Sequence, residues 1–190
     1  TASWFKMILG HTLSGNASND GSFFCGNEAE EILCRNCGSC LDFNYYPRYI
    51  DIKPSKKYDV SYTHDLRNVY SERFVIFCKE VLKSSEIFYP ISTSTGILFY
   101  MMPTKILYFD SVGRGTRFIK KCQECGGYES IVGAHPAYLQ KDQKIENNFY
   151  RTDLTFGSGK EKFPLIIISI EWKNLLLSQK FRGISFRDCM

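Results

Sequence analysis

The sequence has no apolar run long enough to cross a membrane. The longest, Ile97 to Met102, is strand-sized, whereas a helical span needs about 20 consecutive apolar residues. Histidine is scarce. The three, His11, His64 and His135, show no HxH, HxxxH or HExxH spacing, which leaves a histidine-built metal site or zinc-hydrolase helix without support. Charge of one sign is not in excess either. There are 24 basic against 20 acidic residues, and the densest basic stretch, Arg117 to Lys121, holds only three. That balance alone does not call for a polyanionic partner. No basic-then-apolar leader opens the chain, so the expected compartment is cytoplasmic.

Catalytic constellations are missing as well. His64-Asp65 is the nearest approach to an acid–base pair, and a loop histidine beside an aspartate is the plainer reading. Ser111-Val112-Gly113-Arg114-Gly115 and Gly157-Ser158-Gly159-Lys160 lack the spacing and helix start of a phosphate-binding loop and read as turns.

Large apolar side chains are abundant. Of 190 residues, 15 are Phe, 12 Tyr and 2 Trp, and 44% are hydrophobic. A chain of this size buries roughly two-thirds of its unfolded surface, so it needs no metal merely to have a core. One domain over residues 1–190 is expected, since neither repeats nor low-complexity linkers divide it.

Cysteine is the other abundance. Its eight copies are unevenly placed: Cys25, Cys34, Cys37, Cys40, Cys78, Cys122, Cys125 and Cys189. Cys34-Arg35-Asn36-Cys37-Gly38 and Cys122-Gln123-Glu124-Cys125-Gly126 share the form C-x-x-C-G. Two intervening residues let a tight turn aim both sulfurs at one point, about 2.3 Å from a zinc ion. A glycine after the second cysteine lets the backbone adopt φ > 0, so that amides approach the thiolates. The expectation is one structural Zn2+ held by Cys34, Cys37, Cys122 and Cys125, in knuckles at 34–38 and 122–126. Cys40 and Cys25 are the alternatives to one of these ligands. Cys78 is expected in the core and Cys189 unpaired.

Periodicity outlines the elements. Trp4 to Leu9 reads as a strand and Gly10 to Gly21 as a polar stretch. Ser71 should cap a helix to Ser84, with Phe74, Phe77, Cys78, Val81 and Leu82 as its buried stripe. Ile97 to Met102 and Lys105 to Phe109 read as strands around Pro103-Thr104. Arg117 to Ile119 and Tyr128 to Val132 should flank the second knuckle as short strands. Asn148 to Phe156 is a strand; Pro164 to Ile168, a helix from Ser169 to about Gln179 and a strand from Ile184 to Arg187 follow. The fold class is therefore α+β: a mixed sheet, two or three helices and a zinc-ribbon-like element made by the two knuckles.

The knuckles and their surroundings resemble the double-CXXCG motif family of bacterial proteins, immunity-type proteins found beside polymorphic toxins. The likeness begins with Leu33-Cys34-Arg35-Asn36-Cys37-Gly38 and the aromatic-proline pair Tyr46-Pro47. It resumes at Lys121-Cys122-Gln123-Glu124-Cys125-Gly126 and closes with Tyr150-Arg151-Thr152-Asp153, Ile167-Ile168-Ser169 and Arg182-Gly183-Ile184-Ser185-Phe186. It is thin between about Lys53 and Val112. The resemblance implies a cytoplasmic, non-enzymatic antidote that binds and occludes one cognate toxin, with Tyr45, Tyr46, Arg48 and Tyr49 as a candidate contact surface. Two other readings stay open: a zinc-ribbon nucleic-acid-binding or regulatory module, and a thiol oxidoreductase using Cys34 and Cys37.

Overall fold

Residues 10–14, 16–17, 24–25, 27–51 and 58–190 are described by a computed structural model. The strand expected at Trp4 to Leu9 lies outside them.

The end of the chain carries the architecture. β10 (Phe149–Ser158) and β11 (Phe163–Ile168) run antiparallel, with Phe149 opposite Ile168 and Tyr150 opposite Ile167. Both faces of this pair are covered. Phe149, Ile166 and Ile168 join one hydrophobic cluster, while Tyr150, Phe156 and Ile167 join another on the opposite face. A strand buried on both sides has no polar face to alternate with, which is why Pro164 to Ile168 reads as an unbroken apolar run.

β1 (Gly10–Ser14) pairs antiparallel with β11 on one side and with β12 (Ser185–Cys189) on the other. The connection from β11 to β12 is α3 (Ile170–Ser178). Ser169 caps this helix, its hydroxyl accepting from the Trp172 amide, and Trp172 and Leu176 anchor it in the core. The sheet continues past β10 to β9 (Tyr128–Val132) and β8 (Arg117–Lys121), and β7 (Lys105–Leu107) adds a parallel pairing to β10. Seven strands result.

A second sheet of five strands orders β2 (Asn16–Ala17), β3 (Val60–Tyr62), β4 (Asn68–Tyr70), β6 (Gly96–Tyr100) and β5 (Tyr89–Thr93). One cluster unites the sheets: Leu13, Phe163 and Ile166 from the first meet Val60, Val69, Tyr70, Ile91 and Tyr100 from the second. The expected Ile97 and Lys105 strands therefore serve different sheets, separated at Pro103.

α1 (Glu72–Glu80) begins as expected, with the Ser71 hydroxyl accepting from the Phe74 amide. Phe74, Phe77, Cys78 and Leu82 are buried as expected, but Val81 is 53% exposed and Val75 takes a buried place instead. Val81 stands at the C-cap, where the chain leaves the helix. α2 is the single turn Ser111–Arg114, started by the Asp110 carboxylate accepting from Gly113 and stopped by left-handed Gly115. The described residues thus hold three α-helices on mixed sheets, and the α+β class stands. No described helix is long and apolar enough to cross a membrane.

Candidate metal centre

The second knuckle is the tip of a hairpin. β8 and β9 pair from Arg117 opposite Val132 to Lys121 opposite Tyr128, and the residues between them form the turn. That turn is closed by the Cys122 amide donating to Gly127 and the Gly126 amide donating to Cys122. The first knuckle repeats this construction in miniature. Leu33 and Cys40 form an isolated antiparallel bridge, the Cys34 amide donates to Ser39, and the Gly38 amide donates to the Cys34 carbonyl.

The two glycines have the same left-handed backbone, φ +70° at Gly38 and +72° at Gly126. This is the conformation that a residue with a Cβ adopts at a cost of roughly 1–2 kcal/mol. Gly38 also faces the turn between β10 and β11, with the Gly159 Cα 3.8 Å from where its Cβ would stand. The first knuckle is thereby seated on the body of the larger sheet.

The sulfurs of Cys34, Cys37, Cys122 and Cys125 converge, all within 4.8 Å of one another. Cys34 Sγ lies 3.7 Å from Cys122 Sγ, and Cys37 Sγ lies 3.6 Å from Cys125 Sγ. Four sulfurs placed tetrahedrally at about 2.3 Å from one ion would stand about 3.8 Å apart. The geometry therefore fits a four-coordinate thiophilic metal. A disulfide would need a pair at about 2.05 Å, far closer than either of these.

The amides around the sulfurs are arranged alike in both knuckles. Cys34 Sγ receives the N–H groups of Asn36 and Cys37, and Cys122 Sγ those of Glu124 and Cys125. Cys37 Sγ receives Ser39 N–H and Cys125 Sγ receives Gly127 N–H. Asn36 Nδ2 adds a 3.3 Å bond across to Cys122 Sγ, and the Ser39 hydroxyl sits 2.9 Å from Cys37 Sγ. The Cys125 amide, opposed by burial and aided by Glu124 N–H and Asn36, draws the Cys122 thiol down. At Cys34 the Cys37 and Asn36 amides are outweighed by burial and the neighbouring Cys37 and Cys122 sulfurs, which push the thiol up, so the close-set sulfurs share their protons. Donors aimed at sulfur favour thiolate, the form that binds metal. Asn36 and Ser39 had no signal in the sequence beyond being polar residues in a cysteine turn.

Cys34 and Cys122 are each 2% exposed, while Cys37 and Cys125 are half-buried. An ion held by all four has no coordination position left for water or substrate, so its chemistry is to hold the turns together.

The remaining cysteines stay outside this cluster. Cys25, Cys40, Cys78 and Cys189 are all buried, Cys78 on α1 as expected. Asp65 is engaged by the neighbouring backbone. Its carboxylate accepts from the amides of Phe24 and Cys25 at 2.8 Å each and from the Thr63 hydroxyl at 2.7 Å. His135 packs half-buried beyond the second knuckle, its carbonyl accepting from Arg114. Burial, and then the charges of Arg187 and Arg114, hold its imidazole below the usual range. It is not in the sulfur cluster.

The aromatic segment after the first knuckle divides. Tyr45 packs inward, edge-on to Phe24. Tyr46 stacks on Tyr89 at 4.2 Å, and Arg48 and Tyr49 are exposed. Tyr49 bridges Ser92, which lies opposite Ile97, so Tyr49 and Ile97 line one outward row, 54% and 58% exposed.

No family model matches the chain, and neither a curated protein nor a solved structure matches it.

Proposed function

We propose that the chain is a non-enzymatic immunity protein that binds a cognate bacterial toxin and occludes its active site, on a scaffold held by one structural Zn2+. The observation that carries this reading is the convergence of four cysteine sulfurs, which would saturate one ion, stiffen a binding scaffold and leave no position at that ion for catalysis. Two knuckles related as a repeat make the zinc-ribbon-like element. The resemblance in the knuckles and the closing strands supplies the partner class. The row of Tyr49 and Ile97, with Tyr46 and Arg48 beside it, is the contact surface that suits this role, since exposed aromatic and arginine side chains are efficient anchors. The test is coexpression with the product of the adjacent gene. Growth rescue and co-purification are expected, and failure to bind or neutralise that product overturns the reading.

A nucleic-acid-binding zinc ribbon is the second reading. What favours it is β8, exposed along its whole length, with Arg117 and Lys121 beside the exposed Phe118. Such binding would weaken steeply with salt, and salt-independent or absent binding to single- and double-stranded DNA removes it.

A further inference from the structure

β1 leaves β11 early. Their ladder ends with Leu13 opposite Ile166, and the chain then passes to the second sheet, where β2 pairs with β3. The opening of β11, Phe163 to Leu165, is left with no strand on that side among the described residues. The two sheets part here around a cavity of about 420 Å³, within the roughly 300–1,000 Å³ of small-molecule sites. Phe156 and Phe163, opposite each other in the β10–β11 ladder, line it with Leu165 as an apolar wall. Leu66 faces them from the turn between β3 and β4 of the second sheet.

The polar lining is basic. The parallel bridge of Ala137 to Cys189 brings the loop after β9 alongside β12. His135 and Arg187 each stand two residues before a member of that bridge, and both line the cavity. Arg187 and Leu66 are exposed, so the cavity is reached from solvent. No salt bridge among the described residues engages the Arg187 guanidinium. His135 Nδ1 finds no hydrogen-bond partner among them either, and Arg114 adds a third basic group through its bond to the His135 carbonyl. No Asp or Glu is among the described residues that line the cavity. A guanidinium without a counter-charge, set beside apolar walls, favours an anion with an apolar body, and its planar fork matches a carboxylate.

We infer that this cavity binds a small amphipathic monocarboxylate of the medium-chain fatty-acid type, its carboxylate paired with Arg187 beside His135 and its tail against Phe156, Phe163 and Leu165. Binding is reversible, and no covalent bond forms or breaks. Neither the four clustered cysteines nor Tyr49 and Ile97 line this cavity, so the inference stands apart from the metal and from the identity of a protein partner. Selectivity follows from the two halves of the site. An alcohol with the same tail has no charge for Arg187, and acetate has no tail for the wall.

The experiment titrates the metal-loaded full chain with octanoate by isothermal calorimetry, with octanol and acetate in parallel. Saturable binding of one octanoate per chain is expected, with octanol and acetate each weaker by about tenfold or more. Arg187→Gln should lose about tenfold or more in octanoate affinity, with its metal content and thermal transition unchanged. Leu66→Glu, which places an acid at an exposed position of the lining, should weaken octanoate and leave octanol unaffected. Absence of saturable octanoate binding, octanol bound as tightly as octanoate, or full octanoate affinity in either variant overturns the inference.

Discussion

Cys34 and Cys122 stand 88 positions apart in the chain with their sulfurs 3.7 Å from each other. Cys37 and Cys125 repeat the relation at the same separation, 3.6 Å apart. Two turns from opposite halves of the sequence therefore depend on one centre, and a metal there acts on the whole fold rather than on a loop.

The double variant Cys122→Ser with Cys125→Ser removes half of the shell. It should purify without metal and lose its cooperative thermal transition, because apparent binding free energies of structural zinc are on the order of 10 kcal/mol and act as folding free energy. Calorimetry and metal analysis on the same sample check this. A cooperative transition at the wild-type temperature would contradict it.

Gly126→Ala isolates the backbone requirement from the ligands. Nothing lies within 4 Å of a Cβ built there, so the cost comes from the left-handed φ of +72° alone. A loss of about 1–2 kcal/mol is expected in urea unfolding, with the metal retained.

Glu86 offers a charge test away from the metal. It is 5% exposed, its carboxylate accepts from the Thr104 amide and hydroxyl, and burial holds its pKa above the ordinary value. A folded pKa above the unfolded one means the fold binds the proton more tightly. Its contribution to stability is thus greatest in acid and is lost as pH rises through the folded pKa. Glu86→Gln should be neutral or stabilising at neutral pH and should flatten the acid side of the stability profile, read by denaturant midpoints.

His135 has the opposite sign. Its imidazole is held low by burial and two arginines, so the fold favours the neutral ring. Stability from this residue should fall as pH drops from about 7.5 to 5.5, because the unfolded chain takes up the proton near the ordinary histidine value. His135→Gln should reduce that slope without changing metal content. An unchanged slope would contradict it.

Much of this was legible in the sequence, for a physical reason in each case. The convergence of Cys34, Cys37, Cys122 and Cys125 could be read because CxxCG encodes a turn and its two sulfurs in five adjacent positions. α1 and α3 announced themselves through Ser71 and Ser169, caps whose hydroxyls do bond the third amide beyond. β1 did not. Gly10 disfavours a strand and His11 and Ser14 do little to signal one, and the segment is held by ladders to β11 and β12 that no local pattern reveals.

The central claim is that four thiolates share one metal ion on which the fold depends. Native mass spectrometry of the purified chain, before and after a strong chelator, tests it most directly. One zinc per chain, lost together with the compact charge-state distribution, is the predicted result; a metal-free chain that stays compact would contradict it.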